Sequence, residues 1–135
     1  MSVCCKIILC SLFVFVLSAC NTIGSCDDEG KWSFGSRSAK KLDSGVKNYE
    51  EGNYVASMTS LQGVLETGLS GSQDKVQAYK YLAFIQCVSD RERSCREYFK
   101  RALQIDPQFT LTPAEAGHPI WGPIFQSVKS GKSVK

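Results

Sequence analysis

Histidine is nearly missing from this chain of 135 residues: there is one, His118, so no imidazole metal cluster and no histidine-pair proton relay can be built from it. No serine or cysteine stands in a nucleophile motif. Gly63, Gly68 and Gly71 do not have the spacing of a phosphate-cradling loop, which excludes the common nucleotide sites. Glu115 lies three residues before His118, but a hydrolase pair would also need a nucleophile or metal that the sequence does not offer. Cys87, Cys95 and His118 are a poor ligand set, because Cys-x7-Cys is not a usual zinc spacing. No catalytic residue, metal ligand or cofactor is expected. A large excess of charge is missing too: 16 basic against 13 acidic side chains leave a net charge of +3, too little for a nucleic-acid partner. Strand-like alternation is absent, and the apolar run Ile7 to Val16 is too short to cross a bilayer as a helix.

That run nevertheless has the form of an export signal, with one charge before it (Lys6) and small residues after it. Leu17-Ser18-Ala19-Cys20 resembles the lipobox of bacterial lipoproteins. The resemblance implies that the Cys20 thiol takes a diacylglycerol group and that cleavage leaves Cys20 as the first residue. Asn21, where an aspartate would favour retention at the inner membrane, then implies sorting to the outer membrane with the chain facing the periplasm. An ordinary secretory signal with an incidental cysteine is the alternative reading. The expected organisation is a signal peptide at 1–19, a lipidated cysteine and flexible tether at 20–36, one helical domain at 37–129 and a disordered tail at 130–135. The tether is rich in Gly, Ser, Asn and Asp, and such a coil would span about 20 to 24 Å. Trp32 and Phe34 interrupt its polarity and are expected to dock on the domain.

From Arg37 onward the apolar positions recur at helical spacing. Leu42, Val46 and Tyr49 mark a first helix, broken at Gly52-Asn53. Tyr54, Met58, Leu61, Val64 and Leu65 mark a second, ending near Gly68. The third, Asp74 to Val88, is apolar around much of its circumference and should be the most buried. Cys95, Tyr98, Phe99, Ala102 and Leu103 mark a fourth, stopped by Asp106-Pro107. Its other face should be solvated, with Glu92 to Arg96 and Glu97 to Arg101 as ion pairs four apart. Thr112-Pro113-Ala114-Glu115 has capping-box chemistry, Pro119 and Pro123 each suit a helix start, and Ile120, Trp121, Ile124, Phe125 and Val128 form a last stripe. An all-α fold follows.

Of seven cysteines, Cys4, Cys5 and Cys10 fall in the signal and Cys20 is assigned to lipid, leaving Cys26, Cys87 and Cys95. Cys87 and Cys95 flank the turn between the third and fourth helices. In an oxidising compartment they would bridge and pin that hairpin; otherwise they pack as small apolar thiols.

The second helix pair resembles the tetratricopeptide repeat. Tyr79 stands for its Trp, Leu82-Ala83 for Leu-Gly, Cys95 and Phe99 for Ala-x3-Phe, and Pro107 closes the unit. The first pair resembles it less closely: Gly45 takes the small-residue slot, but Asn48, Ser57 and Leu61 replace the usual types. The expected architecture is two tetratricopeptide-like hairpins plus a C-terminal capping helix, since about three stacked units are needed to close such a core. The run from Thr112 to Phe125 looks like the C-terminal signature of tetratricopeptide lipoproteins associated with bacterial type VI secretion. What this resemblance implies is a non-enzymatic scaffold, anchored by its lipid, that holds a protein partner of the cell envelope, with no nucleic acid involved. The partner groove implied for such repeats would use Leu42, Val46 and Tyr49 from the first unit and Lys80, Phe84 and Val88 from the second, unless the tail helix covers them. A pilotin-like chaperone, or an envelope hydrolase or its activator working through Glu115 and His118, are the alternatives.

Overall fold

The structure, a computed structural model, describes residues 33–131. Cys20, Cys26 and Trp32, with the rest of 1–32, and the last four residues lie outside the described residues. Helices are the only regular elements among the described residues: α1 (Ser33–Glu50), α2 (Tyr54–Thr67), α3 (Ser72–Val88), α4 (Glu92–Ile105), the short α5 (Pro113–Ala116) and α6 (Trp121–Lys129). The all-α expectation holds. None of these helices is long and apolar enough to cross a membrane.

α1 begins four residues earlier than the periodicity marked. Gly35 and Ser36 are weak helix formers, but each costs only about 0.5 to 1 kcal/mol, and a helix nucleated at the stripe around Leu42 extends through them. The breaks come where expected. Gly52 and Gly68 take φ of +78° and +90°, left-handed values that glycine adopts without a side-chain penalty, and they end α1 and α2.

Short connections make α1 and α2 one hairpin, and α3 and α4 another. Backbones come closest where α1 crosses α2. A side chain at Gly45 would put its Cβ 2.6 Å from Leu61 Cδ2, and the buried Ser57 hydroxyl donates to the Gly45 carbonyl at 2.7 Å. Gly45, in the small-residue slot, and Ser57 and Leu61, two of the residues that depart from the usual repeat pattern, thus make one close crossing together.

α3 runs through the middle and faces a core on two sides. Leu82, Ala78 and Ile85 pack with Leu42, Leu61, Val64 and Leu69, while Ala83, Phe84 and Cys87 pack with Cys95, Phe99, Leu111, Trp121 and Phe125. Eight of its residues are buried, more than in any other described helix, as its all-round apolar sequence requires. The one buried amide there, Gln86, donates to the Met58 sulfur at 3.4 Å. The Cys87 and Cys95 sulfurs lie at bonding distance, with Cα atoms 5.1 Å apart, across the turn from α3 to α4.

The tail closes the second core. Thr112 and Glu115 make the reciprocal capping box, with Pro113 at the first helical position. α6 starts at Trp121, so Pro123 sits in its first turn, where a missing N–H is harmless, while Pro119 belongs to the preceding turn. α6 then packs on α4 and α3. Phe125 meets Phe99 and Phe109 edge-on at 5.1 and 5.5 Å, Arg96 reaches Ser127, and Lys129 donates to the Phe109 carbonyl. The outer face of α4 carries both expected pairs, Glu92–Arg96 at 2.8 Å and Glu97–Arg101 at 3.5 Å. Being on the surface, they contribute little to stability.

Candidate functional site

The six residues of the expected groove do not share one surface. Leu42 is 3% exposed inside the first core, and Phe84 is 2% exposed with its ring stacked on Trp121 at 4.4 Å. Both are core residues: Leu42 is covered by α2 and α3, and Phe84 by the tail helix, which claims the face of α3 that a partner would have met. Val88 is half-buried against the same cluster, and Val46 is half-buried on α1. Tyr49 and Lys80 do come together, through Tyr81, which the sequence reading left out, beside Tyr54 and Glu115, which it had not placed in the groove.

Tyr49, near the end of α1, faces Tyr81 on α3 at 5.0 Å between ring centroids and Tyr54 on α2 at 5.8 Å. The Gly52 turn makes this possible by folding α2 back so that positions 49 and 54 meet. Tyr81 leans edge-on against Phe84, and the Lys80 ammonium lies 4.7 Å from the Tyr81 ring. The amphipathic lysine stem therefore runs along aromatic surface, while its head turns to Glu115. Tyr54 stays 38% exposed and its neighbour Val55 82%, so the cluster ends in an open aromatic and aliphatic edge.

Glu115 is the polar centre. One carboxylate oxygen takes the Lys80 ammonium at 2.6 Å, the other takes the Thr112 N–H at 2.9 Å, and its backbone carbonyl accepts from the Trp121 indole N–H at 2.9 Å. One residue thus fixes α5, α6 and α3 to one another. Burial pushes its carboxyl pKa up, but the hydrogen bonds from Lys80 and Thr112, with the ammonium charge, outweigh that and hold it below the usual 4.5. Burial, with Tyr54, Tyr81 and Glu115 nearby, pushes Tyr49 from 10.0 up to about 12, and burial with Glu115 and Glu50 raises Tyr81 as well.

These shifts set the pH limits of the site. A lowered carboxyl contributes stability that is present above pH 4.5 and lost as the pH falls through its folded-state value; a raised phenol contributes stability present below pH 10.0 and lost as the pH climbs toward 12. Urea midpoints followed with pH should fall at both ends, and Glu115→Gln should flatten the acid limb and, by removing one of the charges that raise Tyr49 and Tyr81, soften the alkaline limb to a smaller extent. An acid limb identical in that variant would remove Glu115 from this role.

His118 stacks on Trp121 with ring centroids 3.2 Å apart and planes 2° from parallel, and its Nδ1 accepts the Ile120 N–H at 3.2 Å. It holds the turn between Gly117 and Pro119. Glu115 and His118, the two residues a hydrolase would use, are therefore engaged with different partners, one in an ion pair and the other in a turn. Among the described residues no group of three His, Cys, Asp or Glu side chains could hold a metal ion. What this arrangement offers chemically is a surface for binding: three tyrosine rings and a shielded ion pair, on three helices and the tail. Comparison with protein-family models, curated proteins and solved structures finds no match to the chain.

Proposed function

We propose that the chain is a lipid-anchored, periplasm-facing scaffold of the bacterial outer membrane, without enzymatic activity, that holds a protein partner on the tyrosine face of a tetratricopeptide-like helical stack. The observation that carries this reading is the joining of Tyr49, Tyr54 and Tyr81 from three helices into one partly open aromatic cluster beside Val55. Tyrosines present large, stiff contact area with a hydroxyl at the rim, which is why they concentrate at protein interfaces. Support for the anchor comes from the lipobox-like Leu17-Ser18-Ala19-Cys20, and the resemblance to type VI secretion lipoproteins names the class of partner: an envelope-spanning secretion component.

The test joins the two halves. Radiolabelled palmitate should enter the wild-type chain and not Cys20→Ser. Affinity capture from cross-linked envelopes should then recover a secretion component with wild type and lose it with Tyr54→Ala or Tyr81→Ala. Capture that survives both tyrosine changes would refute the binding face, and wild-type protein that takes up no label would refute the anchor.

A further inference from the structure

Electron-rich rings and an unpaired carboxylate meet at the tyrosine face. Tyr49 joins Tyr81 at 5.0 Å and Tyr54 at 5.8 Å between centroids, and Tyr54 stays 38% exposed. The face of an aromatic ring carries partial negative charge, so such rings attract cations. The chain's own Lys80 follows this rule, its ammonium lying 4.7 Å from the Tyr81 centroid and 5.7 Å from that of Phe84. That lysine is already engaged, because Glu115 holds it at 2.6 Å. Over the Tyr49 and Tyr54 rings there is no cation among the described residues.

The charges beside these rings do not cancel. Lys80 answers Glu115, and Lys47 lies 3.9 Å from Glu51, which also accepts from the Asn53 amide at 3.4 Å. Glu50 is left over. It is exposed in the last turn of α1, where a carboxylate does not help its own helix, and it makes no ion pair among the described residues. Its charge is felt at the rings: after burial and Glu115, it is Glu50 that raises the Tyr81 phenol. One uncompensated negative charge beside open aromatic faces selects a cation over an anion. It also favours a guanidinium over an ammonium, because the guanidinium plane lies flat on a ring while its edge forks onto a carboxylate. Val55, 82% exposed next to Tyr54, gives the aliphatic stem of such a side chain an apolar surface to lie along. We infer that the protein partner docks on the tyrosine face through an arginine-bearing segment, with a guanidinium laid on Tyr54 and paired with Glu50. This rests on the binding face proposed above and names the chemistry that the face accepts.

Titration of the full chain in neutral detergent with a hexa-arginine peptide at low salt, followed by amide NMR, tests the inference. A hexa-citrulline peptide, of nearly the same shape but uncharged, is the control. Signals of Glu50, Tyr54 and Tyr81 should move with arginine, saturating in the millimolar range or tighter, and should stay in place with citrulline. Glu50→Gln and Tyr54→Leu, both at exposed positions, should each weaken binding about two- to fivefold, as loss of an exposed ion pair or cation–π contact predicts. Equal binding of the two peptides, shifts centred on other carboxylates, or full affinity in both variants would each overturn it. Absence of saturable shifts with arginine would overturn it as well, and if envelope capture still depended on Tyr54 and Tyr81, the binding face itself would stand. Arginine binding that behaves as expected, beside capture that survives both tyrosine changes, would uphold the cation site and refute its use by the partner.

Discussion

Trp121→Ala is expected to lower the unfolding free energy by about 3 to 5 kcal/mol, the range for truncating a buried large aromatic. The indole is only 8% exposed, lies between the Phe84 and His118 rings, and donates to the Glu115 carbonyl, so its loss opens a cavity and leaves that carbonyl without its partner. A domain of this size has about 5 to 15 kcal/mol in total, so the variant should be close to unfolding at ordinary temperature. Trp121→Phe keeps an aromatic ring at that place but loses the hydrogen bond, about 1 kcal/mol, together with part of the indole's packing, so its loss should lie between that figure and the alanine value. Urea melts read by far-ultraviolet circular dichroism give both values. A loss below 1 kcal/mol for the alanine variant would mean that α6 does not close the second core.

The second large effect is at the α3–α4 turn. Replacing both Cys87 and Cys95 by alanine should cost about 2 to 3 kcal/mol, the entropy regained by an unfolded chain when a loop this short is no longer closed. Both positions are buried at 3% and 0% exposure, so the two small side chains also lose some packing, and the larger end of the range is expected. Wild type melted in a strong thiol reductant keeps both buried sulfurs and should show the loop-closure part of this loss without the packing part. If the reductant leaves the wild-type midpoint unchanged, and alkylation of the unreduced, unfolded protein labels Cys87 and Cys95 themselves, the pair is not bonded.

Much of this fold was legible from spacing. The breaks at Gly52 and Gly68, the stop before Pro107 and the capping box at Thr112 are local signals, set by backbone conformations that particular residue types favour, and each stands where the pattern put it. The heavy burial of α3 was readable for the same reason, since a helix without a polar face needs cover on all sides.

The candidate site was less legible, because its making is not local. Periodicity shows that Phe84 lies on an apolar stripe but not which neighbour covers it; that depends on where the turn through His118 and Pro119 delivers Trp121. Lys80 and Glu115 are 35 positions apart, and no pattern links them. Tyr54 and Tyr81 carried a readable signal, tyrosines near a turn and beside Lys80, but it gains meaning only when the hairpins stack. Start points were also blurred: α1 begins at Ser33 because weak helix formers next to a stable helix are carried along by it.

Site-specific photo-crosslinking in growing cells tests the partner face most directly, with the reactive amino acid placed at position 81 and, for comparison, at the exposed position 104 on α4. The proposed binding face predicts one discrete crosslinked envelope protein from position 81 and none from position 104. Equal crosslinking from both positions, or none from position 81, would contradict it.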